Sequence, residues 1–144
     1  MKAGKDRNFV FGSRLIYIIR MAKHNLLGKK GEDIAALFLK EKDYLILEKN
    51  WRWAKAEVDI IALKGGILVF VEVKTRASDF FGAPEEFVDE RKEALMARAA
   101  SKYMSLREHE GEIRFDIVSV ILAENKKPVV EHFEDAFFPG LFGE

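Results

Sequence analysis

Residues 57–74 read EVDIIALKGGILVFVEVK, and their pattern decides the fold. Glu57–Leu63 begins polar–apolar–polar and turns aliphatic. Lys64-Gly65-Gly66 follows, and Ile67–Lys74 is continuously apolar through Val71 before ending in Glu72-Val73-Lys74. Adjacent glycines accept the positive φ of a tight hairpin turn, so the two runs are antiparallel neighbours. The unbroken apolar run Ile67–Val71 marks a central strand covered on both faces. A two-residue turn pairs Lys64 with Ile67. Extending that register sets Asp59 opposite Glu72 and Glu57 opposite Lys74. Side chains alternate across a strand, so Glu57 and Asp59 share a face, as do Glu72 and Lys74. The hairpin thus gathers three carboxylates and an ammonium, unless a turn of another length slips the register.

Outward from the hairpin, Gly28–Lys42 reads as a helix, with Ile34, Ala35, Leu37, Phe38 and Leu39 near a 3.6-residue period. Tyr44–Trp53 reads as a strand ending in Trp51-Arg52-Trp53. Thr75–Pro84 is a loop, and Pro84 suits the first turn of a helix running to about Leu106. Its apolar face is Leu95, Ala99, Tyr103 and Leu106. Glu112–Leu122 is a fourth strand and Val129–Phe133 a fifth, at an edge. No internal repeat or low-complexity segment interrupts this order.

Composition bounds the chemistry. The 144 residues fit one domain, nearly half apolar and a third charged. Cysteine is absent, which removes disulfides, zinc–thiolate sites and cysteine nucleophiles and suits a reducing cytoplasm. The zero net charge hides an asymmetry: residues 1–30 carry +7 and residues 108–144 carry −6. A neutral chain with a basic end can still meet nucleic acid, since a local basic face is what counts. A solvated basic tail explains the same residues equally well. No apolar run approaches the roughly 20 residues of a membrane span. Phe9–Ile19 is short, holds Arg14 and lacks a small-residue cleavage site, so it is a poor signal peptide. We read residues 1–24 as a basic extension outside the fold, with Met21 a plausible natural start, and residues 25–144 as the single domain.

Hard divalent cations such as Mg²⁺ or Mn²⁺ take oxygen ligands, typically one or two carboxylates plus water and phosphate oxygens. Asp59 and Glu72 offer such oxygens, and the Val73 carbonyl offers another. Lys74, a compact point charge, suits a water nucleophile or a developing phosphorane charge. Charged residues on a strand pair also mark ordinary solvated faces. The dense apolar setting of Asp59, Glu72 and Lys74 tips the balance, because buried charge is costly unless paired or metal-bound.

The stretches Gly28-Lys-Lys-Gly-Glu32 with Ala35, Leu47-Glu-Lys-Asn50 with Arg52, Glu57-Val-Asp-Ile-Ile-Ala62, Phe70-Val-Glu-Val-Lys-Thr-Arg76, Phe81-Gly-Ala-Pro84 and Arg114-Phe-Asp-Ile-Val118 resemble the YraN-like family. These are predicted endonucleases related to Holliday-junction resolvases. The resemblance spans about Leu27 to Phe138. It implies an α/β fold with a restriction-endonuclease-like αβββαβ core, a mixed central sheet flanked by helices. It implies that Asp59, Glu72 and Lys74 are the catalytic motif and that Glu32 joins them on the first helix. Asp59, Glu72, Glu32 and Glu57 are then the candidate ligands for Mg²⁺ or Mn²⁺. For Glu32, a dipole-favoured helix charge is an equal alternative. Ala56 departs from the family's usual glycine before Glu-x-Asp.

Other residues read more plainly. Lys92 is taken as a solvated lysine, although relatives often place Lys or Gln there facing the site. Arg76 and Arg52 suit phosphates or simply flank the sheet. Trp51 and Trp53 suit base stacking, but strand-spaced aromatics are more often core. His24, His109 and His132 have no ligand spacing. Asp116 reads as a buried structural aspartate. The expectation is a cytoplasmic metal-dependent endonuclease acting on branched or structured DNA, with a homodimer by analogy. The alternatives are a non-catalytic DNA-binding or protein-interaction module on the same fold.

Overall fold

A computed structural model describes residues 2–78 and 89–138, with side chains from residue 14 onward. The element order is α1 (Lys2–Glu41), β1 (Leu45–Trp53), β2 (Ala56–Lys64), β3 (Ile67–Arg76), α2 (Glu90–Arg107), β4 (Ile113–Ile121) and β5 (Val129–Phe133). The five strands form one sheet in sequence order, with β3 at its centre. β3 and β4 are parallel, joined across α2, and the other neighbours are antiparallel. This is the mixed αβββαβ core expected of a restriction-endonuclease-like domain.

The Gly-Gly turn behaves as its chemistry requires. Gly65 and Gly66 both take positive φ, 58° and 80°, and Lys64 pairs with Ile67. The register then runs as expected to Ile60↔Val71.

One helix lies on each side of the sheet. Ala35, Ala36 and Leu39 of α1 pack on Ile60, Ala62, Val69, Val71, Val118 and Val120. Met96, Ala99, Ala100 and Tyr103 of α2 pack on Ile61, Leu68, Phe70 and Phe115. Both helices are rotated slightly from the sequence-based stripes: Leu37 and Leu106 are each 60% exposed. In α2 the buried set falls at i, i+3, i+4 and i+7, so Met96 rather than Leu95 leads the stripe. Asp89 caps α2, its Oδ1 accepting the Lys92 N–H at 2.8 Å. The expected start at Pro84 lies outside the described residues.

α1 extends far beyond the expected Gly28–Lys42 helix. No proline interrupts residues 2–41, and a helix already nucleated against the sheet propagates at one hydrogen bond per residue. Residues 14–26 of this helix are all exposed. A chain starting at Met21 is therefore expected to keep one cooperative thermal transition with a midpoint shift of only a few degrees. Calorimetric melting of both forms checks this, and loss of the cooperative transition would contradict it.

Gly31 sets how closely α1 meets β3. A Cβ there would lie 1.8 Å from Thr75 Oγ1 and 2.7 Å from Thr75 Cβ. Rotating Thr75 about χ1 relieves the first clash but leaves the second, so only glycine fits without moving the helix. Gly31→Ala should cost about 1–3 kcal/mol of stability, the usual range for overpacking. Denaturant unfolding measures it. An unchanged midpoint would show that the two elements separate freely.

Candidate active site

The irregular part of the sheet is where the conspicuous carboxylate stands. β1 and β2 pair at Lys49↔Ile60 and again at Trp51↔Val58, leaving Asn50 and Asp59 outside the ladder. Asn50 has φ 53°, a conformation asparagine tolerates better than most side chains. The β2–β3 ladder stops at Ile60↔Val71, one step before Asp59. Asp59 uses the opening: its Oδ2 accepts the Val73 N–H at 2.8 Å. A carboxylate thus takes the place of a main-chain carbonyl at the point where the central strands part.

Glu72 follows on β3 and is 4% exposed. Two lysines address its Oε1. Lys74 Nζ, from the same strand, lies 3.4 Å away, and Lys92 Nζ, from the first turn of α2, makes a close ion pair. Asp59, Glu72 and Lys92 line one cleft of about 240 Å³ with Lys55, Glu57 and Met96.

The electrostatics follow from burial. Burial and the neighbouring Glu72 charge push the Asp59 carboxyl up to about 8, against the Val73 hydrogen bond. Burial lowers the Lys74 ammonium, with Lys92 adding repulsion and Glu72 opposing. Burial also opposes charge on Lys92, but Glu72 and Asp59 together lift it above its ordinary range. Glu32, raised mainly by burial and lowered in part by a hydrogen bond with Asn50, is close enough for its charge to act on Asp59.

The sequence-derived residues are therefore gathered unequally. Asp59, Glu72 and Lys74 come together, and Glu32 stands beside them through Asn50. Glu57 lies at the cleft rim, and the ladder ends before it could face Lys74. It meets Arg52 instead, at 3.5 Å. Among the described residues, no three His, Cys, Asp or Glu side chains are grouped closely enough to hold an ion. Lys92, read from sequence as solvated, is in fact bonded to Glu72. The signal for this is the family resemblance, in which relatives often place Lys or Gln at this position facing the site. Asn50 was visible only as part of a motif.

Asp116 lies away from this cleft and is fully buried, as its sequence setting suggested. Arg114 bonds it through two nitrogens at 2.8 Å, His132 Nε2 shares a 2.7 Å hydrogen bond, and the Asp135 N–H donates at 3.0 Å. These bonds outweigh burial and hold its carboxyl below the ordinary range. The group ties β4 to β5 and the following turn.

Fold and cleft together define a class: an α/β domain with an αβββαβ core, a mixed sheet, and paired carboxylates and lysines where its central strands part. The family described as "Uncharacterised protein family UPF0102" matches residues 31–120. A UPF0102 protein of Flavobacterium psychrophilum is 52% identical over 118 residues, covering 82% of this chain and 98% of the relative. One from Christiangramia forsetii is 47% identical over 119 residues, with the same coverage. One from Bacteroides thetaiotaomicron is 48% identical over 122 residues, covering 85% of this chain and all of the relative. The chain belongs to the UPF0102 family, which is the YraN-like family.

Proposed function

We propose that this protein is a metal-dependent phosphodiesterase that cuts DNA, with branched or structured DNA as its substrate class. The observation that carries this is that Asp59, Glu72 and Lys92 line one cleft in an otherwise apolar part of the sheet, with Lys74 paired to the same Glu72 carboxylate.

The donor set fits a hard divalent cation. The buried Glu72 and the half-buried Asp59 stand close enough for the Glu72 charge to add to burial in raising the proton affinity of Asp59. One or two carboxylates, with water and phosphate oxygens, are what Mg²⁺ or Mn²⁺ usually takes from a protein. Bound by Asp59 and Glu72, such an ion would supply charge to the scissile phosphate and acidity to a water. Val73 fixes the Asp59 carboxyl by its N–H. Lys74 presents donor hydrogens toward a phosphate oxygen or the attacking water, and its partial burial strengthens that interaction. Lys92 offsets the second charge of the site and ties α2 to β3. Glu32 orients polar groups at the open end of the strands through Asn50. Symmetric cutting of a junction requires two copies of the chain, so a homodimer is part of the resolvase-like reading.

The test is a cleavage panel of duplex, flap, single-stranded and four-way-junction DNA with Mg²⁺ or Mn²⁺. Cutting of branched substrates is expected. A second reading, a DNA-binding module without catalysis, is favoured by one observation: Lys74 and Lys92 both pair with Glu72, so its charge is balanced within the protein itself. Binding of junctions with no cutting under any metal would select it.

A further inference from the structure

The two tryptophans at the end of β1 have different fates. Trp51 packs edge-on against Tyr103 at 5.1 Å between ring centres, within the α2-side core. Trp53 is 38% exposed. It begins the two-residue turn Ala54-Lys55 and pairs with Ala56. That turn stands against α2 and encloses a pocket of about 330 Å³ lined by Trp53, Lys55, Ala56, Leu95 and Arg98. Lys55, Ala56 and Leu95 also line the cleft of Asp59 and Glu72. The two cavities are therefore neighbours with a common wall.

We infer that this second pocket receives an unpaired nucleobase, stacked on Trp53, from the strand whose phosphate lies at Asp59 and Glu72. The inference rests on the nuclease reading and adds a base-binding subsite to it. The chemistry of the walls selects the occupant. An indole, a leucine and an alanine offer flat apolar surface for a π-face, and base–aromatic stacking is a sizeable, sequence-tolerant contribution. Lys55 and Arg98 stand at the same pocket, with no acidic side chain lining it among the described residues, which suits a chain of phosphates. Continuity with the carboxylate cleft restricts the occupant to something joined to the scissile group. A base in an intact duplex is stacked and paired and cannot enter without flipping. The pocket thus favours flaps, junction centres and single strands over continuous duplex.

The test measures binding in EDTA, where cutting cannot interfere. A labelled oligothymidylate and a blunt duplex of equal length are titrated by fluorescence anisotropy with wild type, Trp53→Ala and Trp53→Phe. The single strand is also expected to quench wild-type tryptophan emission, and less so that of Trp53→Phe. Trp53→Ala should weaken single-strand binding about 5- to 100-fold, with duplex binding nearly unchanged. Trp53→Phe should recover part of the loss. Trp53 is a surface residue, and an unchanged melting temperature verifies that each variant is folded. Equal binding of single strand by wild type and Trp53→Ala, or equal loss on both DNAs, overturns the subsite while leaving the nuclease reading in place. Failure of wild type to bind the single strand also overturns the subsite, and the cleavage panel on branched DNA decides the nuclease reading separately.

Discussion

Lys74→Ala is expected to lower DNA cleavage by about two to three orders of magnitude, the range for removing one preorganised charge at a phosphoryl or oxyanion site. Lys74 is half-buried and 3.4 Å from Glu72. Its loss leaves Glu72 paired with Lys92, so the buried carboxylate keeps a cation and the fold is expected to survive. Metal binding should persist or tighten slightly, since one competitor for Glu72 is gone. DNA affinity should fall little, because most phosphate contacts lie elsewhere. Nicking kinetics and metal calorimetry on the same preparations separate these effects. A variant that cuts as fast as wild type removes the role given to Lys74, whatever happens to the metal.

Asp59→Asn should act on stability and function in opposite directions. The amide oxygen can still accept the Val73 N–H, so the strand opening is preserved. The lost charge is the one a hard cation needs, and cleavage should fall by about three orders of magnitude or more. In the metal-free fold, Asp59 keeps its proton up to about pH 8, whereas its ordinary value is 3.8. Between those limits the unfolded chain binds fewer protons than the folded one, so wild-type stability should fall as pH rises through that window. The loss is on the order of a few kcal/mol. Asp59→Asn lacks this dependence and should be the more stable protein near pH 8. Adding Mn²⁺ should restore wild type and leave the variant unchanged. Urea unfolding at both ends of the window, with and without Mn²⁺, reads all of this. A wild type whose stability rises from pH 4 to pH 8 would show that Asp59 is ionised in the metal-free fold.

Much of the scaffold is legible in the chain because its signals are local. The Gly65-Gly66 turn fixes the β2–β3 register from two residues as far as Ile60↔Val71, one step short of Asp59 and Glu72. The fifth strand, Val129–Phe133, lies at the sheet edge where the sequence reading places it. The unread parts depend on distant packing. Asn50 and Asp59 sit within runs that look like continuous strand, and nothing in their neighbours announces a gap in the ladder. Lys92 reaches Glu72 only because α2 starts at Asp89 and turns Met96, Ala99 and Ala100 to the sheet. A shift of one residue in that stripe rotates a helix by about 100°, enough to move a lysine from solvent to site. His132 has no sequence signature of a partner, yet the β4–β5 pairing brings it to Asp116. The expected pairing of Glu57 with Lys74 does not form for a related reason: the β2–β3 ladder stops at Ile60↔Val71, and the hairpin turn carries no sign of that parting.

The most direct measurement is a calorimetric titration of Mn²⁺ into the wild-type protein near neutral pH, repeated in buffers of different ionisation enthalpy. The expected result is one ion per chain, with proton release as Asp59 gives up the proton it otherwise retains to about pH 8. Asp59→Asn should show no such binding. Absence of Mn²⁺ binding by wild type, with or without branched DNA present, or equal binding by Asp59→Asn, would contradict a metal site at Asp59 and Glu72.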